Sequence, residues 1–376
     1  MEPAELMQTP LSPYDLGEFF GGREDGINQA TYKNKRGLIL LEYFGVIPGK
    51  NDVPRNCEIC NGQMRAVSDR SRSLGWRLRC VEGHTIEPTK NTYIANIKLK
   101  IVGANLIIQA IHAFIDQVPV TKFMKYVNIS SATAIAYYDY CRDVAAKIVW
   151  HEYEQIGGEN DVVEVDETHL FRKKYNRGRE TPWIHYWVVG GVSRTTRRVF
   201  GVLVQRRSAE ILIPILRQHI NRNSYICTDM WRAYGRVDEH FNNHGVVNHN
   251  EMFLNPRRNE DPLWVPIGRF ADACLDRQWV GPAAIPGYVP FRNHTQGIES
   301  SWRNLKTMFG TCPNVERAEE YIAEWMYRQN ILNRLDSLAA KFDRFMNDIR
   351  RAYPGVGLVA MDRDVVNCQC HECNPP

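Results

Sequence analysis

A chain of 376 residues with 44% hydrophobic side chains has room for two or three domains and a sizeable core, and its net charge of +4 is modest. No apolar run approaches the ~20 residues that span a bilayer. The opening MEPAELMQTPLSPYDLGEFF is acidic and lacks a continuous apolar stretch, which argues against a secretory signal and for an intracellular protein. Ten cysteines then read as metal ligands or buried thiols rather than disulfides.

The distribution of charge says more than its sum. Arg55, Arg65, Arg70, Arg72, Arg77 and Arg79 crowd one stretch, Arg172, Lys173, Lys174, Arg177 and Arg179 a second, and Arg194, Arg197, Arg198, Arg206 and Arg207 a third. Any one such cluster is as often a solvated face as a phosphate-binding one, but three of them flanking acid-bearing strands point to nucleic acid.

Residues 1–50 read as an extension. Ser12 or Asp15 is placed to cap a short helix through Phe20, and Lys35–Phe44 has the composition of another. Residues 51–92 carry Cys57-x2-Cys60 and, after a gap of 19 residues, Cys80-x3-His84. Two paired soft ligands separated by a hairpin suit a tetrahedral zinc site, with Asn61-Gly62 making the tight turn. The alternation of Trp76-Arg77-Leu78-Arg79 predicts a strand leading into the second pair, so the segment has the pattern of a zinc ribbon, the alternative being four unrelated thiol and imidazole side chains. Such a ribbon grips DNA or another protein, and its six arginines favour DNA.

Residues 100–155 are predicted helical. Leu106, Ile107, Ala110, Ile111 and Phe114 recur at helical spacing, Pro119 breaks the run, Val120–Val127 forms a short helix, and a turn at Asn128–Ser131 opens a helix from Ala132 to about Trp150. This layout is that of a helix-turn-helix DNA-binding domain, and equally of many small helical bundles. Cys141, inside the long helix, is expected to be packed.

Gly157-Gly158 links to the region that carries the chemistry, 158–312. Val162–Leu170 (VVEVDETHL) is β-branched like a buried strand, yet it holds Glu164, Asp166 and Glu167. Glu164 and Asp166 share one face, and a buried carboxylate needs a cation or a metal. His185–Val192 and Arg198–Gln205 are predicted as the next strands. Ser208 caps a helix Ala209–Ile220 whose apolar face is Ile211, Leu212, Ile215 and Leu216. A strand Tyr225–Thr228 then ends at Asp229, and Trp231-Arg232-Ala233-Tyr234 opens a helix or turn. Three strands, a helix and a strand ending in Asp is the order of an α/β RNase H-like fold. There the first and fourth strands are adjacent, so Asp166 and Asp229 become neighbours. Residues 251–293, rich in Pro, Gly and aromatics, interrupt this pattern and read as an insertion that either packs on DNA or covers the core. A helix from about Thr295 follows, with Ile298, Trp302, Leu305 and Phe309 as its apolar stripe and Glu299 and Lys306 on an adjacent face. Within 313–353, two amphipathic helices, Glu316–Leu332 and Asp336–Ala352, are expected to buttress the sheet. The tail, 354–376, ends in Cys368, Cys370, His371 and Cys373, a second candidate zinc set or a reduced tail.

Asp229 alone is an ordinary turn residue, and Glu299 alone an ordinary solvated acid. Together with Asp166 they suit two Mg²⁺ (or Mn²⁺) ions about 3.5–4 Å apart that clamp the attacking and leaving oxygens of a phosphodiester. Asp166 is expected to bridge both ions, with Asp229 and Glu299 holding one each. Water activated at one ion nicks DNA, and the freed 3′-OH attacks a second DNA.

VDETHLFRKKYNRGR, WVVGGVSR, TDMWRAY, VVNHN and HTQGIESSWRNLK resemble the catalytic domain of Merlin-superfamily transposases and their bacterial insertion-sequence relatives, and YIAEWMYRQN resembles the helix that follows. The resemblance covers about residues 158–330. It implies a DDE transposase that binds terminal inverted repeats of double-stranded DNA, cuts them and joins them to target DNA. It carries the family's acids onto Asp166, Asp229 and Glu299, and its His and Lys onto His249 and Lys306, which contact DNA or support the acids. By analogy with such enzymes a homodimer is expected, with no membrane partner. The nucleus is the expected location for a eukaryotic host, and the cytoplasm for a bacterial one. With Arg70, Arg72, Arg77, Arg172, Lys173 and Lys174 these make the expected DNA-binding set. The competing readings are a DNA-binding regulator derived from a transposase, which has no need of three acids, and an RNase H-like nuclease that cuts without joining.

Overall fold

The computed structural model describes residues 37–50, 55–72, 74–95, 97, 103–173, 184–229, 231–241, 243–247, 263–266, 288–291, 294–309 and 315–354. The expected helix at Ser12–Phe20, Lys174, His249, most of 251–293 and the set Cys368, Cys370, His371 and Cys373 lie outside these residues. The described residues fall into two compact units, drawn from Met1–His151 with Arg334–Asp364 and from Glu152–Asn333 with Val365–Pro376. Among the described residues no helix is long and apolar enough to cross a membrane.

The first unit begins with a helical turn at 37–43. An antiparallel sheet β1 (Arg55–Asn56), β2 (Gln63–Ser68), β3 (Trp76–Cys80) and β4 (Thr85–Ile86) follows, ordered β1-β2-β3-β4. The alternation expected of Trp76–Cys80 holds: Trp76, Leu78 and Cys80 are buried with Met64 and Cys57, while Arg79 is exposed. Helix α1 (Ala104–Ile115) is buried on every side except at Leu106, so it is the central helix of its bundle rather than an amphipathic one. Helix α2 (Val120–Val127) buries Phe123 and stops at Asn128, whose left-handed φ of 53° ends it. Ser130 Oγ accepts the Thr133 N–H at 3.1 Å and so caps α3 (Ser131–His151), in which Cys141 is fully buried, as expected.

The second unit is a five-stranded sheet with strands β5 (Val162–Lys173), β6 (Ile184–Ser193), β7 (Val199–Val204), β8 (Tyr225–Asp229) and β9 (Asn243–Val247), in the order β7-β6-β5-β8-β9. β5, β6 and β7 form antiparallel pairs, whereas β8 runs parallel to both β5 and β9. Helix α4 (Ala209–His219) makes the crossover between β7 and β8. It buries Leu212, Ile213, Ile215, Leu216 and His219, and Ile211 is only partly covered. The strand β9 is not foreseen in the sequence, because Asn243-His244-Gly245 has neither β-branching nor alternation. Within the expected insertion, Leu263–Pro266 (β10) and Tyr288–Phe291 (β11) pair antiparallel, so that segment is not a plain loop.

Helix α5 (Gln296–Phe309) lies on β5 and β6, and α6 (Val315–Asn330) on β7 and α5. The four residues expected to form the apolar stripe of α5 are all buried. Two glycines make this packing possible: a Cβ at Gly190 would lie 2.7 Å from Trp302, and one at Gly201 3.0 Å from Trp325. The last helix, α7 (Leu338–Ala352), departs from expectation. Its apolar face, Phe342, Phe345, Met346 and Ile349, packs on α3 and α1, so it completes the helical bundle of the first unit instead of buttressing the sheet.

Candidate active site and metal centre

The ladder between β5 and β8 pairs Val162 with Tyr225 and Glu164 with Cys227. Continued by two residues, that register sets Asp166 beside Asp229, the last residue of β8. Opposite Asp166 on β6 is Gly190, over which Trp302 lies, and Trp302 Nε1 donates to Asp166 Oδ2 at 3.0 Å. One turn earlier on the same helix, Glu299 accepts a bond from Thr295 Oγ1 at 2.9 Å. A cavity of ≈580 Å³ opens between strand and helix, lined by Asp166, Thr168, Glu299, Trp302, Arg303, Lys306 and Thr307.

Burial pushes Asp166 up to about 6; the Glu167 backbone N–H and the Trp302 indole oppose this, and the nearby Asp229 and Glu299 charges add to it. Burial likewise raises Glu167 to about 7, with Asp166 and Asp229 adding, although the Tyr234 hydroxyl donates to Glu167 and Arg207 Nη1 lies 3.7 Å from it. Carboxylates that raise one another in this way are a donor set whose repulsion a divalent cation relieves. The hard oxygen ligands fit Mg²⁺ or Mn²⁺ by chemistry, although the trio is not drawn together as tightly as the cysteine cluster described below.

Glu164, on the same face as Asp166, is not an open acid. It is 1% exposed and pairs with the nearly buried Arg194 at 2.6 Å. Its Oε2 accepts the Gly297 and Ile298 N–H groups at 2.6 and 3.2 Å. Burial alone would raise its pKa, but His294 and Arg194 outweigh burial and hold it low.

In the ribbon, Cys57, Cys60, Cys80 and His84 bring one ligand atom each within 4.8 Å of the others, and they are the one such group among the described residues. Cys60 and Cys80 sulfurs are 3.6 Å apart, and His84 Nδ1 lies 3.4 Å from Cys80 Sγ and 3.7 Å from Cys57 Sγ. Zinc bonds of about 2.3 Å to sulfur and 2.0–2.1 Å to nitrogen give tetrahedral edges of about 3.5–3.8 Å, so the cluster is compatible with structural zinc. Asn61, at φ 56°, makes the expected turn. That turn aims the Cys60 N–H at Cys57, which together with the Ile59 N–H and despite burial lowers the Cys57 thiol to about 7.

The expected DNA-binding residues divide. Lys306 lines the cavity and Arg172 is exposed at the end of β5, where only the backbone of Lys173 is described. Arg70 is exposed, but Arg72 and Arg77 are drawn inward, their Nε atoms 3.5 and 3.4 Å from Asp69 Oδ2, and Arg72 also pairs with Glu87. Exposed Arg65 and Arg79 face each other across β2 and β3. Arg303 and Trp302 were not foreseen. Arg303 follows Glu299 by four residues, one helical turn, which is the signal that marks it. Trp302 is hidden by its membership of the apolar stripe.

Paired strands and one helix that gather carboxylates beside two cations define a site suited to metal-assisted phosphoryl transfer. Residues 158–256 match the family model of the ISXO2-like transposase domain, a stretch that holds β5 to β9 with Asp166 and Asp229. This part of the chain is a DDE transposase domain of the insertion-sequence type, and DNA is the partner that it implies. No curated protein and no solved structure matches the chain.

Proposed function

We propose that the chain is an active transposase of the Merlin superfamily that binds terminal inverted repeats, cuts at the element ends and joins the 3′-OH ends to target DNA. Asp166, Asp229 and Glu299 are its catalytic acids, on a domain of RNase H-like topology. The ribbon, holding zinc, and the α1–α3 bundle, used as a helix-turn-helix, grip the repeat, and two copies serve two ends.

The observation that carries this reading is the meeting of Asp166, Asp229 and Glu299 from two parallel strands and one helix, beside a cavity rimmed by Arg303 and Lys306. Asp166, Asp229 and Glu299 would hold the divalent cations, which would supply charge neutralisation for phosphoryl transfer. Trp302 keeps the Asp166 carboxylate turned toward the cavity. Arg303 and Lys306 draw the scissile phosphate to the acids.

The test is strand transfer with purified protein, Mg²⁺, a labelled inverted-repeat end and a target plasmid. Joined products are expected, and Asp166→Ala, Asp229→Ala and Glu299→Ala each abolish them while repeat binding persists. Nicking without joining would identify a nuclease instead, and binding with neither reaction a regulator.

A further inference from the structure

Glu164 is two residues from Asp166 on the same strand face, yet it takes no part in the cavity. Its carboxylate is fully committed. One oxygen receives Arg194 Nε at 2.6 Å and lies 3.1 Å from His294 Nδ1, and the other receives the first free N–H groups of α5, from Gly297 and Ile298. Arg194 Nη2 also donates to the His294 carbonyl at 2.9 Å, so the same ion pair holds the segment that enters the helix. The fit is tight enough to demand glycine: a Cβ on Gly297 would lie 2.7 Å from Glu164 Oε2. A buried carboxylate at a helix N-terminus gains from the helix dipole and from the unsatisfied N–H groups together.

The consequence is geometric. Glu164 ties α5 to the strand that carries Asp166, and Glu299 follows Gly297 by two residues. The span between Asp166 and Glu299 is therefore held at the start of α5 by this anchor built into β5, and one turn after Glu299 by Trp302 on Asp166 and Gly190. We propose that Glu164, with Arg194 and Gly297, is the positioning device of the active site: it fixes Glu299 against Asp166 so that the acids take up divalent metal without first rearranging the helix. This rests on the reading of Asp166 and Glu299 as metal ligands.

The test counts free Mn²⁺ by electron paramagnetic resonance during titration of the full chain without DNA. Glu164→Gln keeps the shape and loses the charge, Gly297→Ala forces the carboxylate away, and Asp166→Asn removes a ligand for reference. Glu164→Gln and Gly297→Ala are each expected to weaken Mn²⁺ binding about tenfold. In plasmid nicking the half-maximal Mn²⁺ concentration should rise by the same factor, with the plateau rate recovered at saturating Mn²⁺. Folded variants that bind Mn²⁺ within about twofold of the parent, or that lose only melting temperature, overturn the proposal, as does a loss of nicking that excess Mn²⁺ does not restore. If Glu164→Gln fails to fold, Gly297→Ala decides the matter. If Asp166→Asn leaves Mn²⁺ binding unchanged, the metal reading of the acids falls first, and the positioning role with it.

Discussion

The Cys57, Cys60, Cys80 and His84 cluster and the Asp166, Asp229 and Glu299 cluster are assembled on opposite plans. The first is local: one hairpin turn at Asn61 and one cross-strand pair, Met64 with Cys80, bring all four ligands together within 28 residues. The second spans 134 residues and depends on a parallel strand register, a helix docked by Glu164 and a glycine under Trp302. A local cluster with a core of five buried residues has little besides its ions to hold it. A dispersed cluster inherits its geometry from a sheet held by its own strand ladders and packed helices. The two should therefore fail under different insults.

The largest effect is expected at the ribbon. Zinc bound to such ligands contributes roughly 10–16 kcal/mol of apparent binding energy, and in a small hairpin that energy is folding energy. Cys80→Ser, or a strong chelator, should abolish amide-exchange protection in β2 and β3 and sharply reduce DNA affinity, while Mn²⁺ binding at the acids stays within about twofold. Loss of Mn²⁺ binding in the same experiment would show that the two regions are not independent.

Acid should act on the sheet unit through His219. This histidine is buried at the end of α4, stacked on Phe200 with ring centroids 4.9 Å apart, and its Nδ1 shares a hydrogen bond with the Tyr153 hydroxyl. Burial lowers its pKa from 6.5 to about 4. Below pH 6.5 the unfolded chain takes up a proton that the folded chain refuses, so stability is full above that value and is lost as pH falls toward 4. A shift of this size corresponds to about 3 kcal/mol. Asp166 and Glu167, raised to about 6 and about 7, act with the opposite sign and favour the folded state as pH falls, so the His219 contribution is read as a difference between two proteins. Denaturant unfolding of metal-stripped parent and His219→Gln should show the variant gaining stability relative to the parent as pH falls from 6.5 toward 4, and a constant difference would assign the acid sensitivity elsewhere.

The contrast also decides what could be read from the sequence. The ligand spacing of the ribbon is contained in a short stretch, so Cys57, Cys60, Cys80 and His84 are legible together. Asp166, Asp229 and Glu299 are legible only because strand order predicts which strands become neighbours, and the register between β5 and β8 agrees with it. What escaped is what depends on partners brought from afar. Glu164 has the same sequence signal as Asp166, an acid in a β-branched run, and only the helix over it makes one an anchor and the other a candidate ligand. Arg72 and Arg77 look like any clustered arginines until Asp69 is seen between them. Helix α7 has the amphipathic pattern expected of a sheet-packing helix, and periodicity cannot name the surface that receives it.

The smallest effect separates the cations of the two regions. Arg303 and Lys306 stand at the cavity with the acids, whereas Arg65 and Arg79 face each other on the exposed side of the ribbon, a like-charge pair that a phosphate backbone would relieve. Removing a cavity cation should act on the reaction, and removing a ribbon cation on binding. Arg303→Ala is expected to lower the nicking rate at saturating DNA about tenfold, or about 1.4 kcal/mol of barrier. Arg303→Lys should restore only part of that rate, because the guanidinium fork meets two phosphate oxygens and an ammonium meets one. Arg65→Ala should leave that rate alone and reduce the slope of log affinity against log salt by about one. A fall in rate from Arg65→Ala, or a pure affinity change from Arg303→Ala, would break the division of labour between the two regions, since each cation would then be acting in the other's place.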